Sequence, residues 1–392
     1  MRSLLSGFVL SGVKAITMDG RFFRNVALKG LALFVIFNLI FAAAPPSGLG
    51  NLSLYNRLFP GRLRFPFGED SAHAYNLSLF DLDAMFASHV ISAAPKPADE
   101  FRVITIGDSS IWGTLLHPQE TLAGQLNAAQ LRACGRAVRV YNLGYPTISL
   151  TKDLMILDAA RRYQPDLIVW GVTLEAFPQD KQLSTPLVAN NAARVDELIG
   201  RYKPGLRADD PALVRPDFPQ RGIGAMWDRT IFGQRRPLAD LLRLQLYGVP
   251  WSATGIDQTY PTDYPPAQTD LTADETFHGM KPPKAQLSFD VFDAVVRAAG
   301  DVPLLVVNEP MLLSTGKNSD VRYNFFYPRW VYDQYRQQMS ARAASGSWAY
   351  LDAWNIIPAS QFTNSAIHLT PSGEALLAAR VGQIISQQSC SK

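Results

Sequence analysis

Three short polar clusters in this chain carry the groups that acyl-transfer chemistry needs: a hydroxyl nucleophile, an imidazole, and donors for a developing oxyanion. The first is Gly107-Asp108-Ser109, which follows the apolar run VITI. A strand that ends in glycine and turns at once leaves the next hydroxyl at its carboxyl end, where open α/β sheets bind ligands. The second is Asn142-Leu143-Gly144, in which a glycine lets a backbone N–H come close to a bound oxygen. The third is IHLTPSGE, where His368 precedes a helix start carrying Pro371, Ser372 and Glu374. An imidazole there can take the Ser109 proton as general base while the N–H groups of Ser109 and Gly144 face the oxyanion. Asp108 and Asn142, beside these groups, are candidates for substrate binding. His73, His89 and His117 read as connector or helix-face residues, and His278 as a second candidate base.

To bring residues so far apart together, the chain must lay distant strands side by side. From position 102 it shows five short β-branched or aromatic runs: 102–106, 138–142, 166–170, 303–307 and 348–352. Helical periodicity separates them over 119–133, 150–163, 286–299, 330–344 and 372–387. Strand alternating with helix, with near-continuous apolar strands, predicts an α/β fold with a doubly wound, five-stranded parallel sheet of flavodoxin-like type. The alternation lapses between 178 and 284, which reads as an insertion or cap over the carboxyl ends of the strands. Its aromatic residues Trp227, Tyr247, Trp251, Tyr260 and Tyr264 suit stacking on sugar rings or covering an acyl chain.

Together these segments resemble the SGNH or GDSL family of serine hydrolases over 101–177 and 285–388. Gly107-Asp108-Ser109 matches the first block, Gly144 the second, Gly171 the opening of the third, and His368 with Gly373 the last. The resemblance implies ester chemistry without metal or other cofactor. It also marks two departures. Thr173 stands where the family's third block carries Asn, so the side-chain oxyanion donor becomes a hydroxyl or comes from elsewhere. The family's Asp three residues before the histidine is Ser365 here, and Asn364, four before it, is the neutral candidate to accept from the imidazole. Asp352, Glu175 and Glu309 are carboxylates that could take the part instead. After the fourth strand run, Asn308 and Glu309 are expected to point into the cleft, with Glu309 binding substrate. Arg322, Tyr323, Arg329, Trp330 and Tyr332 either line a glycan or acyl-donor groove or pack on the sheet.

The N-terminal region sets the compartment. Residues 1–25 form a basic leader, 26–44 an apolar stretch long enough for a membrane anchor, and 45–100 a connector rich in Pro, Gly, Arg and aromatics. Arg2, Lys14, Arg21, Arg24 and Lys29 outweigh Asp19 on the leader side, which predicts a cytoplasmic N-terminus and an extracytoplasmic domain. The rivals are a cleaved signal, suggested by Ala42, Ala43 and Ala44, and a buried core helix.

Across the whole chain, 47% hydrophobic and 18% charged residues exclude wholesale disorder. A net charge of +3 spread along 392 residues excludes nucleic acid as the default partner. Two cysteines, Cys134 and Cys390, allow one disulfide at most and no zinc site of usual spacing. A single anchor bearing an outward SGNH-like domain resembles proteins that acylate cell-envelope polymers or exopolysaccharides. That resemblance implies a serine esterase or O-acyltransferase, an acyl-ester or glycan substrate, the lipid bilayer as one partner and an acyl-transferring membrane protein as another. The rival is a binding or assembly subunit that has kept the fold and lost the rate.

Overall fold

The computed structural model describes residues 20–43, 61–67, 82–214, 260–265, 286–315 and 318–388, with scattered residues between 227 and 246. Five strands form where the apolar runs predict them: β1 (Glu100–Ile106), β3 (Arg136–Asn142), β4 (Leu167–Val172), β5 (Leu304–Asn308) and β6 (Ala349–Asp352). They are joined by a two-residue strand, β2 (Arg132–Ala133), which pairs antiparallel with β3 at the edge. The order β2-β3-β1-β4-β5-β6 is that of a doubly wound sheet whose other neighbours are all parallel. β2 lies within the predicted helix 119–133. That helix stops at Ala128, because Gln130 and Cys134 take positive φ angles of 47° and 51° and the chain reverses into a hairpin.

Both faces of the sheet are covered, so neighbouring strand residues enter opposite cores. From β1, Ile104 and Ile106 join one cluster and Phe101 and Val103 the other. The first cluster is completed by α5 (Leu150–Ala160), α8 (Phe289–Ala299) and α9 (Arg329–Ser345), and the second by α4 (Leu122–Ala128) and α10 (Pro371–Ser386). Two helices inside the span expected to be a cap, α6 (Pro186–Ala189) and α7 (Ala192–Tyr202), bury Leu187, Val195 and Leu198 in the first cluster. Residues 186–202 therefore belong to the α/β core.

The connector also contributes to the core. Phe65 and Phe86, the latter on α2 (Leu82–Ser88), are fully buried with ring centroids 5.0 Å apart. Arg64 is buried too, donating to Gly113 O at 2.8 Å and Trp112 O at 3.2 Å, with its guanidinium 3.9 Å from the Trp112 ring centroid.

The chain divides into two compact units, and everything so far lies in the larger. The smaller holds α1 (Gly20–Ala43) and the described residues from 227 to 238. Residues 20–42 contain an 18-residue window of mean hydropathy 2.0, long and apolar enough for a membrane anchor or a signal sequence. The helix already covers the six described residues ahead of the predicted boundary at 26 and takes in Arg21 and Arg24, since nothing in GRFFRN breaks it. Its polar residue Asn38 donates back to Phe34 O at 2.8 Å, which satisfies the amide within the helix. Tyr247, Trp251, His73, His278 and Cys390 lie outside the described residues.

Candidate active site

The strands align their carboxyl ends along one edge: Thr105 opposite Asn142, Ile106 opposite Trp170, and Asn308 opposite both Val172 and Asp352. At that edge Gly107 adopts φ 154°, and a Cβ there would stand 2.5 Å from Ile111 Cγ1 and 3.0 Å from Gly171 O. Only glycine fits both the angle and the space. The chain then turns into the short helix α3 (Ser109–Trp112), capped by Asp108, whose carboxylate accepts from Ser110 N–H at 2.8 Å. Ser109 is thus the first residue of a helix, with its N–H at the unsatisfied end.

His368 reaches Ser109 from a loop closed by the bridge between Phe362 and Leu369. Thr363 N–H donates to His368 O at 2.9 Å, and Thr370 caps α10 immediately after. His368 Nε2 lies 2.8 Å from Ser109 Oγ, and Nδ1 lies 2.9 Å from Asn364 Oδ1. An amide oxygen only accepts, so Nδ1 carries the proton and Nε2 is left to receive the Ser109 hydroxyl proton. Burial pushes the imidazole down to about 4, so it is the neutral base near pH 7.

Asn364, and none of the carboxylates Asp352, Glu175 and Glu309, stands behind the imidazole. Asp352 pairs with Arg336 at 2.6 Å and accepts from Asn308 at 2.8 Å. Glu175 pairs with Lys181. Glu309 is buried beneath the turn, beside the Ser110 hydroxyl, and burial among Asp108 and Asp153 pushes its carboxyl well above the usual range.

Five predicted assignments need correction. Asn142 does not face a substrate: it is buried, its amide donates to Ile111 O at 2.9 Å, and its Oδ1 accepts from Gly144 N–H at 3.0 Å. That last bond commits the Gly144 N–H, so Gly144 serves by close approach, since a Cβ there would stand 2.5 Å from Trp112 N. Asp108 is a buried helix cap and Glu309 is 3% exposed, so neither lines a groove. Asn308, fully buried, receives the Tyr335 hydroxyl at 3.1 Å and does not enter the cleft. Thr173 lies just past β4, and its hydroxyl bonds the Tyr327 hydroxyl. Tyr332 packs in the core, as one of its two readings allowed.

Sequence reasoning missed the group that holds the nucleophile turn from below. Lys152, on the first turn of α5, is fully buried. It pairs with Asp153 at 2.7 Å and donates to the carbonyls of Gly107 and Tyr145. Asp153 in turn accepts from Trp170 Nε1 at 3.0 Å. The available signal was a Lys-Asp pair inside the apolar helix SLTKDLMIL. Among the described residues no His, Cys, Asp and Glu cluster is arranged to hold a metal ion.

No protein-family model matches the chain, and no curated protein matches it. Solved structures do. A carbohydrate acetylesterase from Sinorhizobium meliloti is 13% identical, over 72% of this chain and 97% of that one, with TM-score 0.33. An aryl esterase from M. smegmatis is 14% identical over the same shares, with TM-score 0.34. A protein of the G-D-S-L family from Desulfitobacterium hafniense is 10% identical, over 72% of this chain and 99% of that one, with TM-score 0.31. At these scores the fold assignment stays with the strand order and register given above.

Proposed function

We propose that this chain is an SGNH-type serine esterase or O-acyltransferase, and the observation that carries the reading is the hydrogen-bonded series Ser109–His368–Asn364. Ser109 Oγ attacks an acyl carbonyl as its proton passes to His368 Nε2, and the N–H of Ser109 faces the oxygen that becomes negative. Collapse of the tetrahedral intermediate breaks the ester bond, and His368 returns the proton to the departing alkoxide. The acyl group is then on Ser109. His368 next takes a proton from water or from an acceptor hydroxyl, which attacks the acyl-enzyme and releases Ser109 with its proton restored. Water makes the chain an esterase, and a sugar hydroxyl makes it an O-acyltransferase.

The outward, membrane-anchored placement is supported by the basic residues Arg2, Lys14, Arg21, Arg24 and Lys29 ahead of the apolar stretch of α1 and within its first half, by its apolar length, and by Cys134, which is disulfide-bonded. Disulfides persist in oxidising compartments outside the cytoplasm. A cell-envelope glycan or exopolysaccharide as acyl acceptor or ester, and an acyl-transferring membrane protein as partner, rest on the resemblance to proteins of that architecture. A second reading, a binding or assembly subunit of the envelope, is favoured by the neutral Asn364 and by the Gly144 N–H being engaged by Asn142.

Hydrolysis of 4-nitrophenyl acetate separates the two readings. For an enzyme, Ser109→Ala and His368→Ala each remove nearly all turnover, and the double variant is little worse, because such groups act as a unit. Turnover unchanged in Ser109→Ala would leave the binding-subunit reading standing.

A further inference from the structure

We infer that Tyr327 is a positioning residue that turns the Thr173 hydroxyl into the second oxyanion donor of the site, an inference that rests on the serine-hydrolase reading above. Register places Thr173 suitably. Ile106 is opposite Trp170, so Ser109 and Thr173 both lie three residues further on, at the same sheet edge. The strand ends touch there, since a Cβ on Gly107 would stand 3.0 Å from Gly171 O. Thr173 is 3% exposed and Tyr327 fully buried, and their hydroxyls bond each other. Neither hydroxyl has another hydrogen-bond partner among the described residues.

The direction of that bond follows from the donors. A phenol is the more acidic hydroxyl, and Tyr327 has only Thr173 Oγ1 to donate to. The reverse direction would strand a phenolic proton beside the Tyr332 ring, 5.2 Å away between centroids, with no acceptor. With Tyr327 donating, the Thr173 proton stays available to an oxygen arriving at the strand ends, and the first hydrogen bond polarises the second. The main chain that carries the ring is held on both sides. Asn324 Oδ1 accepts from Tyr327 N–H at 3.1 Å, and Tyr323 N–H donates to Tyr327 O at 2.9 Å. Burial, with the Glu175 and Asp108 carboxylates nearby, holds the phenol well above its usual range, so it keeps its proton. The pair supplies a donor that the Gly144 N–H, bonded to Asn142, does not.

The test is the rate at which an alkyl fluorophosphonate phosphonylates Ser109, measured against probe concentration. Thr173→Val should lower the saturating rate roughly 10²-fold without changing the half-saturating concentration. Tyr327→Phe should lower it about tenfold, but should have no further effect in the Thr173→Val background. Thr173→Ser should recover most of the rate that Thr173→Val loses. Equal losses from Tyr327→Phe in both backgrounds, or no loss in either, would overturn the role of Tyr327. If Tyr327→Phe does not fold, 3-fluorotyrosine at position 327 replaces it. The rate should then change with Thr173 present and not with Val in its place, and an equal response in both overturns the inference. A wild-type protein that takes no label at Ser109 overturns the serine-hydrolase reading itself.

Discussion

At the residue scale, the unusual feature is an imidazole backed by an amide. A carboxylate behind Nδ1 would stabilise the imidazolium that forms when Ser109 gives up its proton, and the amide oxygen of Asn364 orients the ring without that charge. With burial holding His368 at about 4, the acid limb of kcat/KM for 4-nitrophenyl acetate should lie near pH 4, because only neutral His368 accepts the proton. Asn364 is exposed, so an aspartate there would stay ionised. Asn364→Asp should raise the imidazole pKa, move the acid limb to higher pH, and raise turnover at pH 7 several-fold. Asn364→Ala should lower turnover about tenfold by freeing the ring. An unmoved acid limb in Asn364→Asp would show that position 364 does not contact His368 in solution. Ser109 is legible in sequence because it follows the end of an apolar strand, and His368 and Asn364 because they lie just ahead of the capped start of α10. Tyr327 is not, since its partner Thr173 is 154 positions away and only the tertiary fold joins them.

At the element scale, the nucleophile turn is held from two sides. Asn142 fastens the end of α3 to the strand beside it, and Lys152 ties the Gly107 and Tyr145 carbonyls together from α5. Removing one member of a buried ion pair leaves the other uncompensated, so Lys152→Met should cost about 3–5 kcal/mol in urea unfolding. Lys152→Met combined with Asp153→Leu should recover much of that loss. A single variant as stable as wild type would mean that Lys152 is hydrated in solution. Strands were readable because fully buried parallel strands are apolar on both faces, whereas the burial of Lys152 was not. A charged residue near a helix start reads as solvent-facing, and its acceptors are carbonyls 45 and 7 positions away that no periodicity reports. Residues 186–202 read in sequence as part of an insertion or cap for the same kind of reason, since chain order does not tell which side of the sheet an excursion joins.

At the scale of the whole molecule, stability carries a pH signature from α10. Burial pushes Glu374 up to about 8, so the folded protein holds a proton that the unfolded chain releases above about pH 4.5. Glu374 therefore opposes folding increasingly as pH rises from 4.5 to 8, by about 1.4 kcal/mol per unit. Relative to wild type, Glu374→Gln should gain stability across that window and show no gain below it, as read from denaturant midpoints. The span 215–284 should govern substrate choice. Within it, Tyr260 stacks on His117 at 3.8 Å and accepts from Arg64, and Tyr264 donates to Leu115 O at 3.2 Å. These contacts meet the loop that leaves α3. Replacing 215–284 with a short linker should spare hydrolysis of a small activated ester and abolish activity on a polymeric one, and equal loss of both in a folded variant would place the segment in the catalytic site. For topology, a C-terminal reporter active only outside the cytoplasm should give signal, and a reporter active only inside it should not.

The central claim is that Ser109, activated by His368, is the nucleophile. Peptide mapping of the fluorophosphonate adduct tests it most directly. The account predicts a single adduct on Ser109 in the wild-type protein, greatly slowed labelling in His368→Ala and none in Ser109→Ala. An adduct on another residue, or labelling that survives Ser109→Ala, contradicts it.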